Sequence, residues 1–374
     1  MKVINICGAR PNFMKIAPLM RAFAARPEIT ARLVHTGQHY DDTMSQTFFD
    51  DLHLPRPDVN LEVGSASHAV QTALIMQRFE PIVIAERPDA VLVVGDVNST
   101  IACGLVAAKL QVPLVHVEAG LRSFDRTMPE EINRVLTDTL SDLLFVTEPS
   151  GVENLRREGI AEEKIHLVGN VMIDTLLAHR PLADRSRVLD QLGLTPGRYG
   201  VVTLHRPANV DDPAVFGGIC DALDEIQHTL MLVFPVHPRT RGNLERNGLL
   251  ARLQAMPGVR LTEPLGYLDF LKLMTTAATV LTDSGGIQEE TTVLGVPCLT
   301  LRENTERPIT ITQGTNQLVG LDPGRILAGY QRIREGRITH RIPELWDGRA
   351  AERIADRLLR WHTQRRASSA APAC

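Results

Sequence analysis

The chain has 374 residues, 44% of them hydrophobic and 22% charged, with a formal net charge of -4 and a sequence pI near 6.3. This composition excludes a disordered chain, and the Lys and Arg residues are scattered rather than striped, so no nucleic-acid partner is expected. The length exceeds what one core usually fills, which points to two domains.

Five cysteines, Cys7, Cys103, Cys220, Cys298 and Cys374, are odd in number and contain no C-x-x-C pair. Neither a zinc site nor a disulfide framework is indicated. Four read as small core residues, and Cys374 as an exposed thiol in a polar tail. The first apolar run, residues 3–7, is too short for a signal-peptide core, and no stretch approaches the length of a membrane span. A cytoplasmic protein without a membrane partner is expected.

Short β-branched runs alternate with helical patterns, the signature of βαβ units and parallel sheets. Expected strands in the first half are residues 2–7, 32–35, 90–94, 113–117 and 143–146. Each is a nearly continuous apolar run, as for strands covered on both faces. Ile132, Val135, Leu136, Leu140 and Leu143 recur at helical spacing and predict a helix over 132–144. A second series of strands is expected at 200–204, 230–236, 259–262, 279–282 and 296–301. The expected organisation is an N-terminal domain over 1–172 and a second over 173–349. A helix at 350–366 then packs back on the first domain, and 367–374 forms a frayed tail.

Unusual residues gather just past the expected strand ends, where doubly wound sheets bind ligands. Gly8-Ala9-Arg10-Pro11-Asn12-Phe13-Met14-Lys15 follows the first strand. The glycine permits a tight turn, and the next helix offers free N–H groups. Arg10 and Lys15 add positive charge there; two solvated cations beside a turn are an equal alternative.

Gly95-Asp96-Val97-Asn98-Ser99-Thr100 follows the most apolar strand. Asp96 reads either as a cleft carboxylate or as a helix N-cap. The densest segment is His116-Val117-Glu118-Ala119-Gly120-Leu121-Arg122-Ser123, followed by Met128-Pro129-Glu130-Glu131-Ile132-Asn133-Arg134. Glu118 closes an apolar strand, a poor place for a solvated charge. Glu130 and Glu131 behind a proline also satisfy the helix dipole. Carboxylates crowded into one cleft would raise one another's pKa, as acid–base catalysis near neutral pH needs.

In the second half, His205-Arg206-Pro207-Ala208-Asn209 and His237-Pro238-Arg239 each set a histidine and an arginine at a strand end, which leans towards an anion site. Thr282-Asp283-Ser284-Gly285-Gly286-Ile287-Gln288-Glu289-Glu290 passes from strand through Ser-Gly-Gly into helix. That geometry suits a diphosphate held by backbone N–H groups. Arg302, just past another strand end, joins the expected substrate-binding set. Neither G-x-G-x-x-G nor G-x-x-x-x-G-K-[ST] occurs, so neither a nicotinamide cofactor nor a P-loop is expected.

Taken in order, G-A-R-P-N-F-M-K-I-A-P-L, T-G-Q-H-Y, G-D-V-N-S-T, H-V-E-A-G-L-R-S, P-E-E-I-N-R, V-G-N-V-M-I-D, D-S-G-G-I-Q-E-E and T-E-R-P resemble the non-hydrolysing UDP-N-acetylglucosamine 2-epimerases over nearly the whole chain. The resemblance implies an α/β, GT-B-like fold: two Rossmann-like doubly wound domains with the active site in the interdomain cleft. It implies catalytic roles for Asp96, Glu118, Glu130 and His205. It implies UDP contacts at Arg10, His237, Ser284, Gly285, Gly286 and Glu290, with Phe270 near the uracil and Lys15 as an active-site lysine. A homodimer, a UDP-sugar substrate and a reaction without redox cofactor or metal are implied as well.

The implied reaction interconverts UDP-GlcNAc and UDP-ManNAc through 2-acetamidoglucal with UDP still bound. The sequence departs from the family where Pro207-Ala208-Asn209 stands in place of the frequent Arg-Glu-Asn. Gln38-His39 matches the regulatory site of some bacterial members, but the arginine that accompanies it is not evident in residues 67–72. A hydrolysing relative that releases free ManNAc, or a GT-B glycosyltransferase, remain the alternatives. The glycosyltransferase would not need three carboxylates around C2.

Overall fold

Apolar runs without alternation become strands buried on both faces, as β4 shows with all five of its residues buried. The protein is represented by a computed structural model that describes residues 1–8, 10–37 and 54–370, with only the backbone given for Arg10, Pro11 and residues 368–370. It divides into two compact units, Met1–Ala178 with Glu344–Cys374, and His179–Pro343.

Unit 1 carries β1 (Lys2–Cys7), β2 (Thr30–His35), β3 (Val59–Asn60), β4 (Ala90–Val94), β5 (Leu114–Ala119), β6 (Leu143–Val146) and β7 (Ile165–Leu167). They form a parallel sheet in the order β3-β2-β1-β4-β5-β6-β7. Helices α1 (Arg10–Ala24), α2 (His68–Glu86), α3 (Asn98–Lys109), α4 (Pro129–Leu140) and α5 (Pro149–Arg157) join the strands, and α6 (Val171–Ala183) leads out of the unit.

Unit 2 carries β8 (Tyr199–Thr203), β9 (Met231–Pro235), β10 (Val259–Thr262), β11 (Thr279–Thr282), β12 (Cys298–Thr300) and β13 (Asn316–Leu318). Its parallel sheet runs β10-β9-β8-β11-β12-β13. The connecting helices include α7 (Pro213–Gln227), α8 (Pro238–Arg246), α9 (Tyr267–Thr275), α10 (Gly285–Leu294) and α11 (Pro323–Arg334). In each sheet the strand order reverses beside the first strand, at β1/β4 and at β8/β11. Such switch points open a crevice at the strand carboxyl ends.

The helix Ala350–Ala370 returns to unit 1 and packs against α1. Its first backbone N–H groups, which no helical carbonyl can satisfy, are taken by Asp174 on α6: Ala350 N and Ala351 N donate to the carboxylate at 3.1 and 2.7 Å. Just before it, Trp346 is fully buried and donates from Nε1 to Thr147 O at 3.0 Å.

One expectation needs correction. The helix expected over 132–144 is α4, which ends at Leu140, and Leu143 begins β6. Its inward face is also the opposite of the apolar one. Ile132 and Leu136 are exposed, whereas Glu131, Arg134, Thr137 and Asp138 are buried. Periodicity identifies residues that share a face; the ionic network described below determines which face turns inward. Cys7, Cys103, Cys220 and Cys298 are buried free thiols, as the core reading expects, and Cys374 lies outside the described residues.

Candidate active site

The carboxyl end of β5 is built around a break in the ladder. Opposite β6, Val117 pairs with Phe145 and Ala119 with Val146, so Glu118 is an extra, bulged residue. Its φ of 74° is a left-handed value that non-glycine residues seldom adopt. Bulges re-aim side chains, and backbone strain of this kind concentrates at functional positions. Here the result is a buried carboxylate in an ion pair with Lys15 Nζ from α1.

Gly95 makes room for that pair. A Cβ there would stand 2.9 Å from Lys15 Nζ, and the φ of 67° favours glycine independently. Asn12 ties the β1–α1 turn to the same place, accepting from Gly8 N at 3.3 Å and donating to Val94 O at 3.1 Å.

Asp96 is not the helix cap. Val97 holds the N-cap position of α3, and the Asp96 carboxylate meets Arg134 Nη2 at 2.8 Å. Arg134 is buried and also reaches Glu131, at 3.3 Å. The adjacent glutamates divide their tasks. Glu131 points inward and accepts from Ser123 N, Ser123 Oγ and Phe124 N, all at 2.9 Å. Glu130 stays exposed in the first turn of α4. The expected crowding of carboxylates is therefore replaced by pairing: Glu118 with Lys15, and Asp96 with Arg134.

A second buried network holds this loop from behind. His116 Nδ1 lies 2.6 Å from Asp138 Oδ1, and His116 Nε2 lies 2.8 Å from Gly95 O. Asp138 Oδ2 meets Arg122 at 2.7 Å and accepts from Gly120 N at 3.0 Å. Arg122 grips Glu158 through two bonds, of 2.8 and 2.6 Å. Burial works to raise the Asp138 carboxyl, but the charge and hydrogen bond of His116, then those of Arg122, outweigh it and hold it below the usual carboxylate range.

In unit 2 the chemistry sits at the β8/β11 switch point. Asp283 is fully buried, and its Oδ2 accepts from His205 N and Arg206 N at 2.9 Å each. Its Oδ1 lies 3.0 Å from His205 Nδ1, while the His205 side chain remains 44% exposed. The His237 ring is 6.0 Å from that of His205, centroid to centroid. His237 Nδ1 caps α8 by accepting from Arg239 N at 3.3 Å. Pro207 opens a single helical turn, Pro207–Val210, in which Asn209 is buried and donates to Leu301 O at 2.8 Å. The proline that departs from the family pattern thus occupies a first-turn position that suits it.

Ser284 is the N-cap of α10 and makes no side-chain cap bond, so the first N–H groups of the helix lack that partner. Gly285 lets a cation approach. A Cβ there would stand 2.7 Å from Arg307 Nη1. Arg307 is buried and pairs with Glu289 at 2.7 Å and with Glu306. Arg302 is also buried and reaches Glu306 Oε2 at 2.7 Å.

Glu290 is buried one residue beyond Glu289, and burial first, then the Glu289 charge, push its carboxyl up to about 8. The Tyr267 hydroxyl of α9 faces it, and burial and Glu290 drive that phenol well above its ordinary value. Phe270, half-buried, follows Tyr267 by three residues on the same helix face.

Unit 1 therefore brings Lys15, Asp96 and Glu118 to the carboxyl ends of β4 and β5, with Glu130 at the start of α4. Unit 2 gathers His205, His237, Ser284, Gly285, Gly286, Glu290 and Arg302 around the ends of β8, β9, β11 and β12, with Phe270 on α9. The side chain of Arg10 and the pair Gln38-His39 lie outside the described residues. Sequence reasoning did not single out Asp283, Arg134, Arg307 or the His116–Asp138–Arg122 network. Asp283 did carry a signal, as the first residue past β11, but its partner lies 78 positions away.

The sequence profile of the UDP-N-acetylglucosamine 2-epimerase family matches residues 21–359. The chain belongs to this family. It is 41% identical over 359 residues to the UDP-N-acetylglucosamine 2-epimerase of Methanocaldococcus jannaschii, covering 95% of this chain and 98% of that protein. It is 40% identical over 365 residues to the UDP-2,3-diacetamido-2,3-dideoxy-D-glucuronate 2-epimerase of Pseudomonas aeruginosa, covering 96% of this chain and all of the other. Among solved structures, the M. jannaschii UDP-GlcNAc 2-epimerase in complex with UDP-GlcNAc and UDP superposes with a TM-score of 0.90 at 40% identity, over 96% of this chain and 100% of that one. The family is one of GT-B-like α/β enzymes, and the two parallel sheets described above are its two Rossmann-like domains. This family member is accordingly an epimerase, as the motifs imply. Among the described residues, no helix is long and apolar enough to cross a membrane.

Proposed function

We propose that the protein interconverts UDP-GlcNAc and UDP-ManNAc by eliminating UDP and adding it back. The bulged, buried Glu118 paired with Lys15 is the observation that carries this reading, since backbone strain and a buried charge of this kind concentrate at functional sites.

The C2 proton of the sugar is not acidic, because no carbonyl is attached to that ring carbon. It becomes removable as the C1–O bond to the diphosphate breaks and C1 gains positive charge. A carboxylate of the Asp96, Glu118 and Glu130 set takes the proton, and the C2–H electron pair becomes the C1=C2 bond of 2-acetamidoglucal. The C1–O pair leaves with UDP. In the return step a proton is delivered to the other face of C2 and the diphosphate oxygen re-forms its bond to C1. Donors must meet the charge that builds on the leaving diphosphate. The α10 N-terminus at Ser284-Gly285-Gly286, with Arg10 and His237, supplies them. Phe270 flanks the uracil, Glu290 holds the nucleoside and Arg302 completes the substrate-binding set, while His205 takes part in proton transfer. The sequence of steps uses no redox cofactor.

A homodimer is part of the proposal. Ile132 and Leu136 on α4 are exposed, as are Val70 and Ile84 on α2, and both helices pack against α3. The family resemblance implies the dimer, and a contiguous patch formed by these side chains would be its interface.

The test is incubation with UDP-GlcNAc in deuterated water, followed by NMR. Deuterium at C2 with UDP-ManNAc appearing supports the proposal; free ManNAc supports the hydrolysing alternative; absence of C2 exchange sinks both. Because relatives of 41% and 40% identity are named for different sugars, the same assay is run with the diacetamido uronate substrate.

A further inference from the structure

We propose that Asp283 is the positioning residue of His205, fixing both the tautomer and the orientation of its imidazole; this rests on the reading above that His205 takes part in epimerisation.

The arrangement begins with strand register. Thr282 of β11 lies beside Thr203 of β8, and their hydroxyls join at 2.7 Å. The next residue, Asp283, therefore reaches across to the chain leaving β8. One carboxylate then holds a single residue twice. Oδ2 takes the backbone N–H of His205 with that of Arg206, and Oδ1 meets the ring at Nδ1 in an ion-pair contact of 3.0 Å rather than an aligned hydrogen bond. Oδ2 alone would suffice to cap the turn. The second oxygen constrains the side chain, which a purely architectural role does not require.

Burial shapes what the dyad can do. Asp283 is shielded from water, whereas the ring it holds is 44% exposed. Burial alone would raise the carboxyl, but His205 and the two backbone N–H donors outweigh it and keep it below the usual carboxylate range. An ionised Oδ1 only accepts, so Nδ1 carries the proton and Nε2 is the basic atom of the ring. His237, the neighbouring ring, uses its own Nδ1 on the α8 cap. A carboxylate that holds an imidazole in one tautomer is a recurrent device of acid–base sites.

The test is Asp283→Asn in the full chain. The amide oxygen can still accept from His205 N and Arg206 N, but the amide NH₂ then faces Nδ1. The ring proton must move to Nε2. Histidine labelled with 15N reports the tautomer, with the His205 signals assigned by their loss in His205→Gln. The expected result is an Nδ1–H imidazole in the wild type and an Nε2–H imidazole in Asp283→Asn. In the C2-exchange assay, kcat falls roughly 10²-fold or more while KM stays within a few-fold. A kcat within about threefold of wild type, or an unchanged tautomer in the variant, overturns the proposal. If Asp283→Asn does not fold, the wild-type spectrum decides, since an Nε2–H ring there also overturns it. A wild type without C2 exchange defeats the epimerase reading and with it the proton-transfer role, while the tautomer spectra still decide the Asp283–His205 geometry.

Discussion

Lys15 on α1 and Glu118 in the β5 bulge form an ion pair inside unit 1, each less than a tenth exposed. Removing one partner of such a pair leaves the other charge buried alone, at a cost of about 3–5 kcal/mol. Lys15→Met should lower stability by that order in equilibrium denaturation. Glu118→Gln keeps the shape and loses the charge, so it should abolish C2 deuterium exchange while leaving UDP affinity within a few-fold. A large loss of UDP affinity would reassign Glu118 to binding.

Glu290 makes stability depend on pH in an unusual direction. Its folded value of about 8 stands above the ordinary 4.5. Between the two, the native state holds a proton that the unfolded chain releases, so stability falls as pH rises from about 4.5 to about 8. At about 1.4 kcal/mol per pH unit, the effect is on the order of a few kcal/mol. Glu290→Gln should remove that slope in urea titrations across the window. Parallel wild-type and variant profiles would show that Glu290 titrates normally.

Asp174 does for the helix Ala350–Ala370 what a local cap residue does elsewhere, from another element. Asp174→Ala should cost about 1 kcal/mol, the usual value of a lost N-cap. Hydrogen exchange should quicken first in residues 350–358. Unchanged protection there would assign the docking to Trp346 and the apolar contacts alone.

Leu136→Glu places a charge on the exposed apolar face of α4. If that face meets a second copy, sedimentation should shift from dimer to monomer with the melting temperature of each unit little changed. A variant that sediments like wild type would exclude α4 from the interface.

Much of the fold was legible because buried parallel strands read as plain apolar runs. The expected strands 2–7, 90–94, 143–146, 259–262 and 279–282 coincide with β1, β4, β6, β10 and β11. The motif residues of the described segments also fall at strand ends, where the argument from parallel sheets puts them. What was not legible is pairing at a distance. Ile132 and Leu136 marked the helix by their spacing, yet they face outward, and α4 buries Arg134 and Asp138 because Asp96, His116 and Arg122 wait beneath them. No local periodicity encodes a partner 16 to 38 positions upstream. The crowding of carboxylates was misjudged for the same reason. Lys15 and Arg134 come from other elements and neutralise what looked like mutual repulsion.

The path of the chain through unit 1 has a bearing on how the protein is made. The segment that carries Trp346 and the helix Ala350–Ala370 is translated only after all of unit 2. Vectorial synthesis therefore lets unit 2 finish before unit 1 can. Until then, the surface of α1 and the Asp174 carboxylate await a segment still inside the ribosome. A chain ending at residue 343 and released from the ribosome should contain a protease-resistant unit 2 while its first 178 residues remain open to chaperones.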